Sequence, residues 1–266
     1  MTAMFAAIRS ELTKIVTLPG VWIFTGIILG LHVFVLAQPL DLSIEAIENM
    51  TPDGDVEVFI GLPQPAEEAV LGLLAGSSLQ LSLLLPALAA VIAGQEFRSH
   101  QLASTLLATP RRGRLFAAKV LAATLCLLLV AVLIAGISTA FTYVVIRDWN
   151  PSLLISAEAL LINGSFLAFA VLFALVGLAV TIAARSTLVG VVVTVALIAL
   201  TMTQALTSIA PALDALTPLS AGRNLLLDPG INELTAGPMH GLIVLVCWAA
   251  AAIGVAGVAI ARRDAR

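Results

Sequence analysis

Long runs without charged residues are the feature that most limits how this chain can fold. Six such runs occur, at about 21–37, 69–93, 121–146, 160–183, 188–209 and 240–261. Each is close to the roughly 20 residues that a helix needs to cross a bilayer. The runs are continuous rather than alternating in polarity, which favours helices over a β-barrel. We therefore predict an all-α polytopic membrane protein, with six transmembrane helices in a single domain over residues 1–266.

Composition excludes the water-soluble class of protein. Only 11% of the residues are charged, against about 25% in a soluble domain, and the mean hydropathy is +1.09. The two cysteines, Cys126 and Cys247, both lie inside apolar runs. Cysteine in that setting is usually a small buried hydrophobic residue, so neither a disulfide framework nor a metal site is indicated.

Positive charge is concentrated on one side of the predicted bundle. Six spans put both termini on the same side, together with 11 of the 13 Lys and Arg residues. These are Arg9, Lys14, Arg98, Arg111, Arg112, Arg114, Lys119, Arg185, Arg262, Arg263 and Arg266. Because basic segments remain in the cytoplasm, we predict a multi-pass protein of the cell membrane with both termini cytoplasmic.

Residues 1–18 have the pattern of an amphipathic helix. Apolar residues recur at spacings of 4, 3, 4 and 3, at Met1, Phe5, Ile8, Leu12 and Ile15. A helix of this kind lies in the membrane interface, and Pro19-Gly20 ends it. The alternative is a signal peptide cleaved after Val35-Leu36-Ala37, which the amphipathic leader with its Glu11 disfavours.

Two long segments are predicted on the outer side. Residues 38–67 are acidic and form either a solvated face or a cation-binding loop, with a short amphipathic helix over Asp41–Met50. Residues 210–238 are rich in proline and contain a second amphipathic piece, Leu219–Leu227. Within the second span, Pro86 predicts a kink.

The sequence lacks the residues of an enzyme that binds ATP by itself. Lys14 and Lys119 are the only lysines, and neither lies in a G-x-x-x-x-G-K-[S/T] phosphate loop. Glu67-Glu68 is not followed by the arginine of the Glu-Glu-x-x-x-Arg signature of intramembrane proteases. The three histidines lie on separate segments. We expect no catalytic residue, no metal and no cofactor.

Polar residues at span depth are the candidates for lining a substrate path. They are His32, Ser78, Gln80, Asn163 and Gln204. His32 has a second interpretation, as a neutral, hydrogen-bonded packing residue. No run contains a central Asp or Glu, which an ion-coupled carrier usually has. The sparse charge favours an amphipathic or lipid-like substrate, such as a drug, a peptide or a lipid.

The basic stretch 94–119, between the second and third spans, has the features of a docking surface for a protein. Glu96 and Arg98 are two residues apart, so on a helix they would not pair with each other. Leu102–Ala108 predicts a short surface helix, and Thr109-Pro110 is typical of a helix start. We predict that four cations anchor the next span at the lipid headgroups: Arg111, Arg112, Arg114 and Lys119.

Two patterns together resemble a known family. Gly94-x-Glu96-Phe97-Arg98, then Thr105-Leu106-Leu107-Ala108-Thr109-Pro110-x-Arg112, Leu115 and Lys119, is similar to the loop between spans two and three of ABC type 2 exporter permeases. Arg9-Ser10-Glu11-Leu12-x-Lys14 and Pro19-x-x-Trp22 resemble the N-terminal elbow helix of those permeases.

The resemblance implies the permease subunit of an ATP-driven exporter. Its implied partners are an ATP-binding cassette ATPase subunit, a second permease copy or paralogue, and membrane lipid, but no nucleic acid. A coupling helix within 94–119 would dock on the ATPase, and residues 210–238 would cap the exit as re-entrant helices. The implied docking residues are Glu96, Phe97, Arg98, Thr105, Leu106, Thr109 and Pro110, with Arg9, Glu11 and Lys14 of the elbow.

Two alternatives remain open at this point. One is an ion-coupled carrier, and the other is a non-transporting membrane scaffold or immunity protein.

The acidic loop 38–67 departs from the family pattern, because it is longer than in the larger members of the family. The resemblance therefore does not predict the shape of the exit on the outer side.

Overall fold

The fold is an assembly of helices with one very small sheet. The computed structural model describes residues 2–57, 63–98, 112–227, 232 and 234–262. The helices are α1 (Thr2–Thr17), α2 (Pro19–Ala37), α3 (Leu40–Glu48), α4 (Ala66–Ser82), α5 (Leu85–Arg98), α6 (Arg112–Ile146), α7 (Ala157–Ala184), α8 (Thr187–Met202), α9 (Ala205–Ile209), α10 (Pro211–Asp214), α11 (Pro218–Leu226) and α12 (Pro238–Arg262). A 3-10 helix spans Pro151–Ile155, and β1 (Asp55–Val56) pairs antiparallel with β2 (Gln64–Pro65).

Five helical stretches of the described chain are long and apolar enough to cross a membrane. They are Pro19–Glu48, Ala66–Gln95, Gly113–Ile146, Ala157–Ala184 and Pro238–Arg262. The chain is therefore a mostly helical, multi-pass membrane protein, as the apolar runs predicted.

The predicted fifth span, 188–209, has a different form in the structure. Helix α8 has 16 residues, or about 24 Å at 1.5 Å per residue, which is short of the roughly 30 Å hydrocarbon core. The chain leaves the helix at Gln204, whose φ of 53° is left-handed, and continues through α9 and α10. The count of six spans stays a prediction.

The predicted kink in the second span is confirmed as a break. Helix α4 ends at Ser82, and α5 begins at Leu85, with Pro86 in its first turn. Proline has no N–H to donate and is tolerated only at the start of a helix. The amides of Ala87 and Leu88 both donate to the Leu84 carbonyl, which starts the new helix.

Helix α7 is the centre of the bundle. It packs against α5, α6, α8 and α12. Its inward face carries Phe166, Phe169 and Phe173, which are fully buried, and the rings of Phe169 and Phe173 stack with centroids 5.5 Å apart. Its glycine at 177 permits close contact with α5, because a Cβ there would lie 2.6 Å from the Pro86 carbonyl oxygen. Side-chain size at this crossing therefore sets how closely α5 and α7 approach.

Contacts between helices define one end of the bundle, here called the basic end. Gly20 at the start of α2 lies against Gln95 near the end of α5, and Gly257 of α12 lies against Phe116 of α6. Gly94 contacts Thr187 at the start of α8. The Lys and Arg residues on the helix ends that meet here are Arg9, Lys14, Arg98, Arg112, Arg114, Lys119, Arg185 and Arg262.

The opposite, acidic end is held by a second hydrophobic cluster. It joins α3, β1, α4, the end of α6, the 3-10 helix and the start of α7. Its buried members are Ile47, Val56, Ala66, Ala69, Val70, Leu74, Val145, Ile146, Leu153, Leu154 and Ala159. The acidic residues on these segments are Asp41, Glu45, Glu48, Asp53, Asp55, Glu57, Glu67, Glu68, Asp148 and Glu158. Charge is thus separated along the helix axes.

Several short elements agree with the sequence. The amphipathic pieces predicted over Asp41–Met50 and Leu219–Leu227 are helices α3 and α11. A tight turn at Ala184-Arg185-Ser186 joins α7 to α8: Arg185 has a left-handed φ of 53°, and the Ser186 hydroxyl caps α8 by accepting from the Val189 amide.

The predicted loop 94–119 is helical at both ends. Residues up to Arg98 belong to α5, and α6 begins at Arg112. Two predictions, the surface helix over Leu102–Ala108 and the helix start at Thr109-Pro110, lie outside the described residues. The third predicted span, 121–146, is correspondingly part of a longer helix.

Candidate functional site

A buried ionic cluster joins the N-terminal helix to the third span at the basic end. One Glu11 carboxylate oxygen, Oε1, accepts from Lys14 Nζ at 2.5 Å, and the other, Oε2, accepts from Lys119 Nζ at 2.7 Å. Glu11 and Lys14 are three residues apart on α1, which places them on one face. Lys119 lies in the second turn of α6. The cluster, Glu11–Lys14–Lys119, therefore ties α1 to the start of α6.

This cluster is shielded from water on its inner side. Glu11 is 3% exposed and Lys119 is 8% exposed. Ile15, one turn along α1 from Glu11, is also buried in the main core. Charge-assisted hydrogen bonds are strong in such surroundings, and removing one member of a buried pair is costly. The sequence predicts separate roles for Glu11, in docking, and Lys119, in anchoring, and the structure brings the two side chains together.

The elbow has a second connection beside the cluster. The indole Nε1 of Trp22 donates to the carbonyl of Val16 at 2.7 Å, across the junction between α1 and α2. Leu18 and Pro19 form this junction, and Pro19 occupies the first position of α2, where a proline is preferred. Helix α1 is thus held at its end by α2 and at its middle by α6.

Other predicted docking and anchoring residues lie on α1 and on the ends of α5 and α6. Glu96, Phe97 and Arg98 form the last turn of α5, Arg112 begins α6 and Arg114 is half-buried in its first turn. Arg9 is exposed on α1. Five further predicted residues lie outside the described residues: Thr105, Leu106, Thr109, Pro110 and Arg111. Their roles in docking and anchoring stay predictions.

A partly open groove of about 760 Å³ lies at the acidic end. Helix α4 supplies half of its lining, and the end of α2, the start of α7 and the end of α11 supply most of the rest. Aliphatic side chains dominate, including Leu36, Leu71, Leu161 and Leu226. The volume is within the range of pockets that hold small organic ligands.

One stripe of α4 runs through this groove with a four-residue repeat. Glu68, Gly72, Gly76 and Gln80 follow one another at four-residue spacing, and all four line the groove. The twelve residue steps from Glu68 to Gln80 extend about 18 Å along the helix. A Cβ on Gly72 or Gly76 would meet no atom within 4 Å, so these glycines leave space rather than permit a close helix contact.

The charged side chains that line the groove are all acidic. Glu68 at the start of α4 and Glu158 at the start of α7 both line it, and no Lys or Arg of the described chain does. Gln64, Gln80 and Asn232 add amide groups. Because apolar walls focus the field of nearby charges, the mouth of the groove favours a cation.

His32 lies in the interface between α2 and α6, and not on the groove. It is fully buried, and its Nε2 is 3.0 Å from Ser138 Oγ and 3.2 Å from the Ile134 carbonyl oxygen. Its Nδ1 has no hydrogen-bond partner among the described residues. This geometry agrees with the second interpretation of His32, as a hydrogen-bonded packing residue.

The remaining predicted path residues are dispersed. Of these five residues, only Gln80 lines the groove, and it is exposed. Ser78 is buried in the adjoining face of α4 and Asn163 is half-buried on α7, each with an oxygen that lacks a partner in the described chain. Gln204 is exposed at the start of α9. The structure therefore does not place these five residues around one cavity.

Asp214, in the predicted outer segment 210–238, is a buried carboxylate. It is 3% exposed, and its Oδ2 accepts from Ser220 Oγ at 2.6 Å. Thr217 donates to the Asp214 carbonyl oxygen and contacts the Thr201 hydroxyl at 3.0 Å. The other carboxylate oxygen of Asp214, Oδ1, has no hydrogen-bond partner within the described residues. This network fixes α10 and α11 against the end of α8.

Two features of the site were missed in the sequence, for different reasons. The stripe of α4 that lines the groove could have been predicted from the sequence, since Glu68-x₃-Gly72-x₃-Gly76-x₃-Gln80 repeats at helical spacing. The ionic cluster was not, because Glu11 and Lys119 are 108 residues apart and only the tertiary packing of α1 on α6 joins them. No family model matches the chain, and no curated protein matches its sequence.

Proposed function

We propose that this chain is the permease subunit of an ATP-driven exporter of the ABC type 2 class. The observation that carries the proposal is the cluster Glu11–Lys14–Lys119. It joins the interfacial helix to the start of the third span, beside the segment whose sequence resembles a coupling loop. In this proposal the basic end faces the cytoplasm, in keeping with the positive-inside rule.

The helices give a physical route by which movement of the partner ATPase would reach the groove. A partner that moves the segment between α5 and α6 acts on two continuous helices, since α5 ends at Arg98 and α6 starts at Arg112. The ionic cluster makes α1 follow α6. Movement of α5 reaches α7 through the tight crossing of Pro86 and Gly177. Because packed interfaces shift between discrete arrangements, such movement would change the width of the groove bordered by α4 and α7.

An ion-coupled carrier is the second candidate, and Asp214 favours it. A buried carboxylate with one oxygen lacking a partner in the described chain is the type of group that binds a proton or a cation in carriers. Asp214 accepts from Ser220, and Thr217 connects the Asp214 carbonyl oxygen to Thr201; all four residues are buried. The source of energy, ATP or an ion gradient, distinguishes the two candidates.

Charge reversal at the end of α5 tests the proposed docking. In mild detergent, the wild-type chain should co-purify with an ATPase subunit, and Glu96→Lys or Arg98→Glu should reduce the bound ATPase at least tenfold. The reason is that each substitution opposes a charge on the partner, and like-charge contacts at an interface cost several kcal/mol. The measurement is the ratio of the two subunits after purification.

The matched control for this test is Arg262→Glu, a charge reversal on the last turn of α12. It should retain the partner, because α12 is not part of the predicted docking surface. Full retention of the ATPase by both α5 variants would contradict the docking role, and so would equal loss in the control.

A further inference from the structure

We infer that the groove along α4 binds a cationic amphiphile, with its charged head between Glu68 and Glu158 and its hydrocarbon tail over Gly72 and Gly76. The inference deepens the proposed function, on which it rests for the idea that the bound molecule is transported. Binding itself follows from the groove and does not require the ATPase.

Charge complementarity determines the sign of the charge on the ligand's head group. Glu68 and Glu158 are both exposed and both line the groove, and no cation of the described chain lines it. An anionic lipid head would meet two carboxylates, whereas an ammonium group gains from both of them. The exposed position of the two residues limits this gain to about that of surface ion pairs.

The stripe on α4 selects the shape of the ligand. Gly72 and Gly76 leave a channel of about 18 Å between Glu68 and Gln80, in which a Cβ would have met no neighbour. Glycine within a helix costs roughly 0.5–1 kcal/mol relative to alanine, and here no close helix contact requires it. An apolar groove about 18 Å long with a polar group at each end fits one extended hydrocarbon chain.

The walls are suited to a tail and not to a wholly polar solute. Val35 and Leu36 of α2, Leu161 and Ile162 of α7 and Leu226 of α11 surround the stripe. Burying hydrocarbon on such walls is favourable in proportion to the area removed from water. Attraction at the head and burial of the tail therefore act on the same molecule.

The test is binding of dansyl-labelled dodecyltrimethylammonium to the purified chain in phosphatidylcholine nanodiscs. The comparison probe is the dansyl-labelled dodecyl sulfonate, which has the same tail and the opposite charge. We expect saturable binding of the ammonium probe, at least tenfold tighter than that of the sulfonate. The double variant Glu68→Gln, Glu158→Gln should weaken ammonium binding about tenfold and leave sulfonate binding no weaker.

A second variant tests the channel without disturbing the fold. Gly72→Leu with Gly76→Leu fills open space and replaces two poor helix formers, so thermal stability should be retained while ammonium binding falls more than tenfold. Gly136→Leu is the matched control, because a Cβ on this α6 glycine also meets nothing within 4 Å and the residue does not line the groove. It should bind the probe as the wild type does.

Three outcomes would overturn the inference. One is equal binding of both probes with no effect of the carboxylate variants, which would make the groove a general lipid site. Another is unchanged ammonium binding in the filled variant. The third is a groove covered by a second copy of the chain, shown by a dimer that the filled variant converts to monomer. Co-purification of the ATPase without binding of the ammonium probe would contradict this inference and leave the proposed function standing. Binding of the probe by a chain that co-purifies with no ATPase would contradict the proposed function and leave this inference standing.

Discussion

Replacing Glu11 with alanine should destabilise the folded protein by about 3–5 kcal/mol, the typical cost of removing one partner from a buried ion pair. The substitution leaves the ammonium groups of Lys14 and Lys119 close together without the carboxylate between them. Helix α1 would then be held on α6 mainly by the apolar packing of Ile15, which is buried, and Leu12, which is partly buried. The measurement is the fraction of monodisperse protein that remains after heating in detergent.

Exchange of the charges is the control for that experiment. The double variant Glu11→Lys, Lys119→Glu puts a carboxylate on α6 opposite two ammonium groups on α1, so it should recover much of the stability lost in Glu11→Lys alone. Reversal of the exposed Arg147–Asp148 pair should have almost no effect, because surface pairs contribute roughly 0–1 kcal/mol. Wild-type stability in Glu11→Ala, or failure of the exchange to restore any stability, would contradict the importance of the cluster.

Substituting alanine for Gly177 should cost about 2–3 kcal/mol, at the upper end of the usual effect of overpacking a core. The new Cβ would lie 2.6 Å from the carbonyl oxygen and 2.8 Å from the Cβ of Pro86. Both atoms belong to the rigid start of α5, so the crossing of α5 and α7 must widen. Thermal denaturation in detergent measures the loss, and reduced coupling to any bound ATPase should accompany it.

Gly164→Ala, on the same helix, is the matched control. A Cβ at position 164 would meet nothing within 4 Å, and alanine is the better helix former by roughly 0.5–1 kcal/mol. This variant should be as stable as the wild type or slightly more so. Equal behaviour of the two glycine variants would show that close contact at Pro86 does not limit the packing of α5 on α7.

The membrane helices could be predicted because their signals are local. Uninterrupted apolar runs indicate spans. Pro86 marks a break because it has no N–H to donate, and the charged Arg185 interrupts the apolar sequence between two spans. The end of α8 was harder to predict. The apolar run continues to Ile209, and only backbone geometry, with Gln204 at a φ of 53°, shows that the helix stops at Met202.

The candidate sites could be predicted only where they lie within one element. The spacing of Glu68, Gly72, Gly76 and Gln80 is a property of a single helix. The burial of Asp214 and the pairing of Glu11 with Lys119 depend on how distant segments pack. Counting charges by side groups most Lys and Arg residues at one end of the predicted bundle, and the side of the membrane on which that end lies stays a prediction. The count does not predict that Glu11 and Lys119 are buried together.

Transport into inverted membrane vesicles tests the central idea, that this chain moves an amphipathic substrate with energy from a separate ATPase. The vesicles would contain the chain and its co-purifying partner, and the probe would be dansyl-labelled dodecyltrimethylammonium. We predict accumulation that requires ATP hydrolysis and continues when ionophores have collapsed all ion gradients. Accumulation that proceeds without ATP and stops when the ionophores are added would contradict the account and would identify an ion-coupled carrier.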